Sequence, residues 1–266
     1  TNIVIKTIPV GDGPNFIAIS GNNAYVANEG DNSVSVIDIR TNTVSTTIKV
    51  GSSPRFIAIS GKNAYVVNSG GDTTNGTVIV IDTLKNIVSK TIPIGLRPIS
   101  IAISGDYAYV LNSGDYNSNG TVSVIDTTTN IVSTIKVGKD PRFIATSGNN
   151  AYVANTGDDT VSVIDTKTNK VLKKPIPVGK GPSYIVISGN YAYVVNTGDG
   201  TTNGTVSVID TLKNTVSKTL NVGLVPVFIA IYGNYAYVVN DSLYDFTNDN
   251  SSKGTVTVID ISSYSS

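Results

Sequence analysis

The sequence predicts an all-β chain, one domain over residues 1–266, folded as a six-bladed β-propeller of four-stranded antiparallel blades. Three observations predict it. Pro14, Pro54, Pro98, Pro141, Pro182 and Pro226 each stand in a Val/Ile-Gly-x-x-Pro phrase, spaced by 40, 44, 43, 41 and 44 residues. That is the period of one four-stranded propeller blade. Each unit holds four apolar or alternating segments separated by turn residues, and none shows a sustained helical period. The units are also offset. Asn2-Ile3-Val4-Ile5-Lys6-Thr7-Ile8-Pro9-Val10 matches the fourth segment Asn86-Ile87-Val88-Ser89-Lys90-Thr91-Ile92-Pro93-Ile94, while the last unit stops at Val258-Ile259-Asp260. Residues 2–10 are therefore expected to pair with the third strand of the last unit, around Thr255 to Ile259, and to close a ring. An open solenoid would need polar caps instead.

The second unit shows the elements in order. Arg55–Ser60 is the first strand, and Gly61-Lys62-Asn63 turns into the second, Ala64–Asn68. A loop with Gly70, Gly71, Asp72, Asn75 and Gly76 leads to the third, Thr77–Asp82, and the fourth is Asn86–Ile92. First and second strands are apolar on both faces, as strands sandwiched between layers are. The third alternates, Val122 and Val124 with Thr121 and Ser123. The fourth carries Ser, Thr and Lys, including Lys90, Lys173, Lys174 and Lys218, and Lys keeps an exposed sheet edge from pairing. This gradient predicts the first strand nearest an axis and the fourth on the rim. A longer period lies over the shorter one: Asp82-Thr83-Leu84-Lys85-Asn86 recurs three units later as Asp210-Thr211-Leu212-Lys213-Asn214.

Composition excludes several chemistries. The chain has no His, Cys, Met or Trp, so disulfides, thiol nucleophiles, His-based triads and typical zinc sites are ruled out. With 19 basic and 19 acidic residues, no long-range field draws it to nucleic acid. No apolar run approaches the length of a transmembrane segment. A chain that starts at Thr1 without Met is read as having lost a leader or been trimmed.

Every unit carries Tyr-Val-x-Asn on its second strand: Tyr25–Asn28, Tyr65–Asn68, Tyr109–Asn112, Tyr152–Asn155, Tyr193–Asn196 and Tyr237–Asn240. With Ser-Val-Ile-Asp downstream and Val-Gly-x-x-Pro upstream, the chain resembles the YVTN-type β-propeller repeat of surface-layer proteins. The resemblance covers essentially the whole chain and implies an extracellular or surface-associated scaffold on a cell or virion; a cytoplasmic location is left open. Six units depart from the seven typical of surface-layer examples, so no specific partner carries over, and fold alone does not name a function.

An internal repeat supplies its own control. Residues present in all six units, such as Asn28 and Asp38 with their counterparts, read as structural, bonding backbone at strand ends and turns. Function is expected where units diverge, at the Val/Ile-Gly-x-x-Pro loops. The binding-face candidates are Asn15, Arg55, Arg97, Ile99, Lys139, Asp140, Arg142, Lys180, Leu224 and Val227. A cationic rim there would suit a carboxylate or sulfate-bearing glycan. Apolar Leu96, Ile99, Leu224, Val225 and Val227 would suit a protein contact or plug a channel. Tyr116, Tyr184 and Tyr244 are added candidates for stacking on a glycan. Asp115, Asn117 and Asn119 match half of a calcium loop, but Asn-Gly before a β-branched run is also an ordinary hairpin turn. No cofactor is expected, with calcium the one candidate. The leading expectation is a non-enzymatic structural or interaction module with a protein or glycan partner at the loop face. The alternative is a carboxylate- or metal-assisted hydrolase or lactonase at the channel mouth, with Asp12 and Asp140 as its acids.

Overall fold

Residues 2–71, 73–115, 118–172, 174–241 and 254–264 are described by the computed structural model. They form six antiparallel sheets in which consecutive strands are neighbours, except that β17 pairs with β15 rather than β16. The first sheet is β1 (Pro14–Ser20), β2 (Asn23–Asn28), β3 (Ser33–Asp38) and β4 (Thr43–Lys49). The second is β5 (Pro54–Ser60), β6 (Asn63–Asn68), β7 (Asn75–Asp82) and β8 (Ile87–Leu96). The third is β9 (Pro98–Ser104), β10 (Tyr107–Asn112), β11 (Asn119–Asp126) and β12 (Val132–Lys139). In the fourth, β13 (Pro141–Ser147), β14 (Asn150–Asn155) and β15 (Thr160–Asp165) are followed by the short β16 (Lys170–Val171) and β17 (Ile176–Pro177). The fifth is β18 (Pro182–Ser188), β19 (Tyr191–Asn196), β20 (Asn203–Asp210) and β21 (Thr215–Leu224). The last has β22 (Pro226–Tyr232), β23 (Tyr235–Asn240) and β24 (Thr255–Asp260).

The chain divides into two compact units, residues 1–114 with 122–133, and 115–121 with 134–266. Inside each, sheets pack face to face through their second and third strands. In the first unit Tyr25, Ala27, Val34 and Val36 meet Ile57, Ala64, Val66 and Ile81. In the second, Tyr193, Val195, Val206 and Val208 meet Ile229, Ala236 and Val238. The β-branched residues suit a pleated surface buried on both faces. Tyr25 closes its seam with a polar clasp: its Oη donates to Asn86 Oδ1 at 2.7 Å. Tyr152 does the same to Asn214 Oδ1 at 2.8 Å.

Three strand-level expectations are corrected. The first strands are half-buried rather than sandwiched, β1 being largely exposed, and burial peaks in the second and third. Outside the last sheet the third strands do not alternate in burial, because Ser35, Ser123, Ser162 and Ser207 are as buried as the valines beside them. The fourth strand of the fourth sheet is broken: Pro175 brings no N–H to the ladder, and β16 and β17 pair separately with β15. Lys173, expected on it, lies outside the described residues. The expected pairing of residues 2–10 with the last unit is not shown: those residues form no strand, and among the described residues β24 has one neighbour, β23. Ile8 and Val10 instead rest on Ala24, Val26 and Ile37 of the first sheet.

Candidate functional site

The loops before and after the first two strands of a sheet are laced together by the backbone. The residue before each repeat proline has positive φ: Gly13 (59°), Ser53 (53°), Arg97 (53°), Asp140 (43°), Gly181 (65°) and Val225 (47°). This turns its carbonyl toward the residue that follows the second strand. Glu29 N donates to Gly13 O at 2.9 Å, Ser69 N to Ser53 O at 3.0 Å, and Asp241 N to Val225 O at 2.9 Å. The same bond recurs at Arg97, Asp140 and Gly181. In two units the position is glycine, which adopts this conformation without strain. A β-branched Val225 there is a conformational outlier.

Beneath the loops lies the Asn that ends each second strand. Its amide reaches sideways to the third strand: Asn28 Nδ2 donates to Ser33 Oγ at 3.0 Å and Ser35 Oγ at 2.9 Å. Asn196 Nδ2 bonds Thr205 Oγ1 and Ser207 Oγ, each at 3.0 Å. These bonds explain the buried serines, since a buried hydroxyl needs a partner. In two units Oδ1 accepts the N–H of the loop glycine, Gly138 to Asn155 at 3.1 Å and Gly223 to Asn240 at 3.0 Å. A Cβ at Gly138 would stand 2.6 Å from Asn155 Cγ, so the glycine is required by close approach. The Asn set thus bonds chiefly to third-strand hydroxyls, with loop backbone second.

The Asp that ends each third strand caps the following turn. Asp126 Oδ1 accepts from Thr128 N at 2.9 Å and Thr129 N at 2.8 Å, and these backbone bonds hold its carboxyl below the usual range. Asp38 is lowered to about 2, first by the Arg40 side chain and then by the Arg40 N–H.

The candidate residues fall into two groups. In the first unit, Arg55, Arg97 and Ile99 line one cavity of about 250 Å³ with Ser53, Ser69, Gly70 and Gly71. Arg55 pairs with Glu29 at 2.9 Å, and Asn15 Nδ2 donates to the other oxygen of Glu29 at 2.9 Å. In the second unit, Arg142 pairs with Asp140 at 3.0 Å and Lys180 with Asp199 at 3.6 Å. The Lys139 N–H donates to Asp158, Leu224 is half-buried at the end of β21, and Val227 is exposed. Of the expected cationic rim, Arg55, Arg142 and Lys180 have an acid beside them. Such exposed pairs add little stability, but they cancel the charge that would attract an anion.

Sequence reading missed an aromatic row on the first strands. Phe16 and Phe56 have ring centroids 5.0 Å apart, and Tyr184 stacks between Phe143 (4.1 Å) and Phe228 (4.6 Å). Tyr184, expected as a sugar platform, is instead in tilted contact with both rings, and burial raises its hydroxyl pKa. Aligning the second residue after each proline would have exposed the row. In the third unit that place is Ser100, which is buried. Tyr116, Asn117 and Tyr244 lie outside the described residues. In the partial calcium loop, Ser118 N donates to the Asp115 carbonyl at 3.0 Å, and Asn119 opens β11. The related Asp199 takes N–H and O–H bonds from Thr201 and Thr202, which depress its carboxyl. Among the described residues no three acidic side chains converge, and no helix is long and apolar enough to cross a membrane.

Four segments, residues 15–50, 99–116, 182–201 and 228–244, match the model of the LVIVD repeat. That repeat is of β-propeller type, in keeping with the four-stranded sheets; the finer YVTN type stays an expectation. No curated protein matches the chain. Among solved structures it is similar to the hydrazine synthase of Kuenenia stuttgartiensis, at 24% identity and a TM-score of 0.71, over 98% of this chain and 80% of that one. It is similar to the computationally designed Ika8 protein at 16% identity and a TM-score of 0.73, over 93% and 71%. A functionally unknown protein of Desulfotomaculum acetoxidans matches at 18% identity and a TM-score of 0.68, over 83% and 73%. At such identities the likeness concerns the fold.

Proposed function

We propose that the chain is a non-enzymatic interaction module, a six-bladed β-propeller that displays its divergent loops to a protein or glycan partner at a cell or virion surface. The observation that carries this reading is the cavity of the first unit. It joins two successive divergent loops and gathers Arg55, Arg97 and Ile99 in one place. Its chemistry is mixed: Ile99 offers an apolar contact, Ser53 and Ser69 offer hydroxyls, and the Arg55 charge is offset by Glu29. A site of this kind favours a polar, largely uncharged group, such as a sugar ring, over a strong anion. The scaffold below it is held by buried bonds that repeat from unit to unit, which leaves the loop tips free to vary.

A glycan microarray bearing neutral and uronic-acid oligosaccharides tests this. Binding to neutral glycans that falls at least tenfold in Ile99→Asp, with an unchanged melting temperature, is the expected outcome. Binding that ignores residue 99, or turnover of phenyl acetate or a γ-lactone abolished by Asp140→Asn, would overturn the reading in favour of another face or of hydrolysis.

A further inference from the structure

The chain has a single glutamate, Glu29. It follows the Asn that ends β2, where the other units have Ser69, Ser113, Thr156, Thr197 and Asp241. In three of these the hydroxyl reinforces its own loop. Ser69 Oγ donates to Ser53 O at 3.3 Å, Ser113 Oγ to Arg97 O at 3.1 Å, and Thr197 Oγ1 to Gly181 O at 2.9 Å. An ionised carboxylate has no proton for this bond, and Glu29 turns to the first strands instead. Its Oε2 accepts from Asn15 Nδ2 at 2.9 Å. Its Oε1 accepts from Arg55 Nε at 3.0 Å, with Arg55 Nη2 2.9 Å away. Arg142, the repeat counterpart of Arg55, takes its acid from its own loop, Asp140. In the loop before Arg55 that place is Ser53, which lines the cavity of the first unit with Arg55, Arg97 and Ile99. The acid that answers Arg55 therefore comes from the neighbouring sheet, and the cavity wall keeps a hydroxyl.

We propose that Glu29 sets the specificity of this cavity: as a positioning residue it fixes Arg55 and offsets its charge, and so favours a neutral sugar ring over the matching uronate. This rests on the reading of the cavity as a sugar site. The carboxylate holds the guanidinium along its Nε–Nη2 edge. A guanidinium carries five N–H donors in a rigid fork, so the Nη1 amino group and the second N–H of Nη2 remain for a ligand. Held in place, they donate to two adjacent ring hydroxyls with little further loss of side-chain freedom. Ile99 supplies the apolar contact for the C–H face of the ring. Without the negative charge of Glu29, the same fork would match a carboxylate as a charged pair. With it, a uronate gives up its hydration against a pair of no net charge. Arg97 is present in either case, so the ratio of uronate to neutral binding reports on Glu29.

Calorimetric titration with one oligosaccharide, ending either in glucose or in glucuronate, reads this ratio. Glu29→Gln keeps an acceptor for Arg55 Nε and removes the charge. It is expected to raise the uronate-to-neutral ratio of binding constants about tenfold, the scale of one charge-assisted hydrogen bond. The melting temperature is expected to stay unchanged, because the pair is exposed. Glu29→Gln combined with Arg55→Gln is expected to return the ratio to that of the unaltered chain. A ratio unmoved in Glu29→Gln, or moved equally without Arg55, would overturn the proposal; if Ile99→Asp still weakens neutral binding, the sugar site itself stands. Neutral binding that ignores both residue 99 and residue 29 would overturn both. Should Glu29→Gln fold poorly, Arg55→Lys decides: it keeps the charge and loses the fork, so neutral binding is expected to fall, and neutral binding retained in that variant would refute the role of a fixed Arg55.

Discussion

Two regions at the same strand ends behave in opposite ways. The Asn–Ser lattice under the loops is nearly identical from unit to unit and buried: Asn28, Asn155 and Asn196 each donate to two hydroxyls of the third strand. The loop tips above it differ in every unit and hold exposed ion pairs such as Arg142–Asp140. Burial explains the difference. A polar bond sheltered from water leaves an expensive orphan when broken, whereas a surface pair exchanges its partner for water at little cost. Repetition therefore marks the stabilising bonds, and divergence marks the positions free to serve recognition.

The sharpest way to break this comparison is to remove one lattice member and one tip member. Asn196→Leu strands Thr205 and Ser207 hydroxyls and is expected to destabilise the fold by about 2–4 kcal/mol. Arg142→Ala should change it by less than about 0.5 kcal/mol. Urea denaturation of both variants gives the ratio, and similar losses would dissolve the distinction.

A tip residue can also lie on strained backbone. Val225 (φ 47°) occupies the position that Gly13 and Gly181 fill elsewhere. Val225→Gly is expected to raise stability by roughly 1 kcal/mol through relief of the left-handed conformation, and Gly13→Val to lower it by a similar amount. Thermal melts read both, and a loss in Val225→Gly would show that the side chain packs.

The turn caps add a smaller, pH-dependent contribution. The Asp38 pKa is depressed from 3.8 to about 2 in the folded chain. Its stabilisation is therefore complete above the unfolded value and fades as pH falls from about 4 to about 2. Asp38→Asn should flatten the acid limb of the melting temperature over that window and leave the curve near neutral pH little changed. Smallest of all is the response to chelation. EDTA is expected to leave the melting temperature unaltered, because Asp199 is satisfied by its own turn. A calcium-dependent shift abolished by Asp115→Ala would restore the metal loop.

Much of the architecture was legible in the chain itself. Period-two runs of Val and Ile, broken by Gly and Asn turns, specify short antiparallel strands by local stereochemistry, and six prolines mark where each unit begins. The turn-capping role of Asp38 and its counterparts was equally readable, since an Asp side chain reaches its own turn within two or three residues. Tertiary structure alone decided what distant segments share. That Glu29 would neutralise Arg55, 26 residues on, depends on two loops being laced together by a bond from Glu29 to Gly13. That Tyr184 would lie between Phe143 and Phe228 depends on three first strands standing side by side. The burial of Ser35 and its equivalents follows from an Asn on the neighbouring strand. Alternation in sequence reports which face a side chain takes, but solvent access is set by what packs against that face, and that partner is far away along the chain.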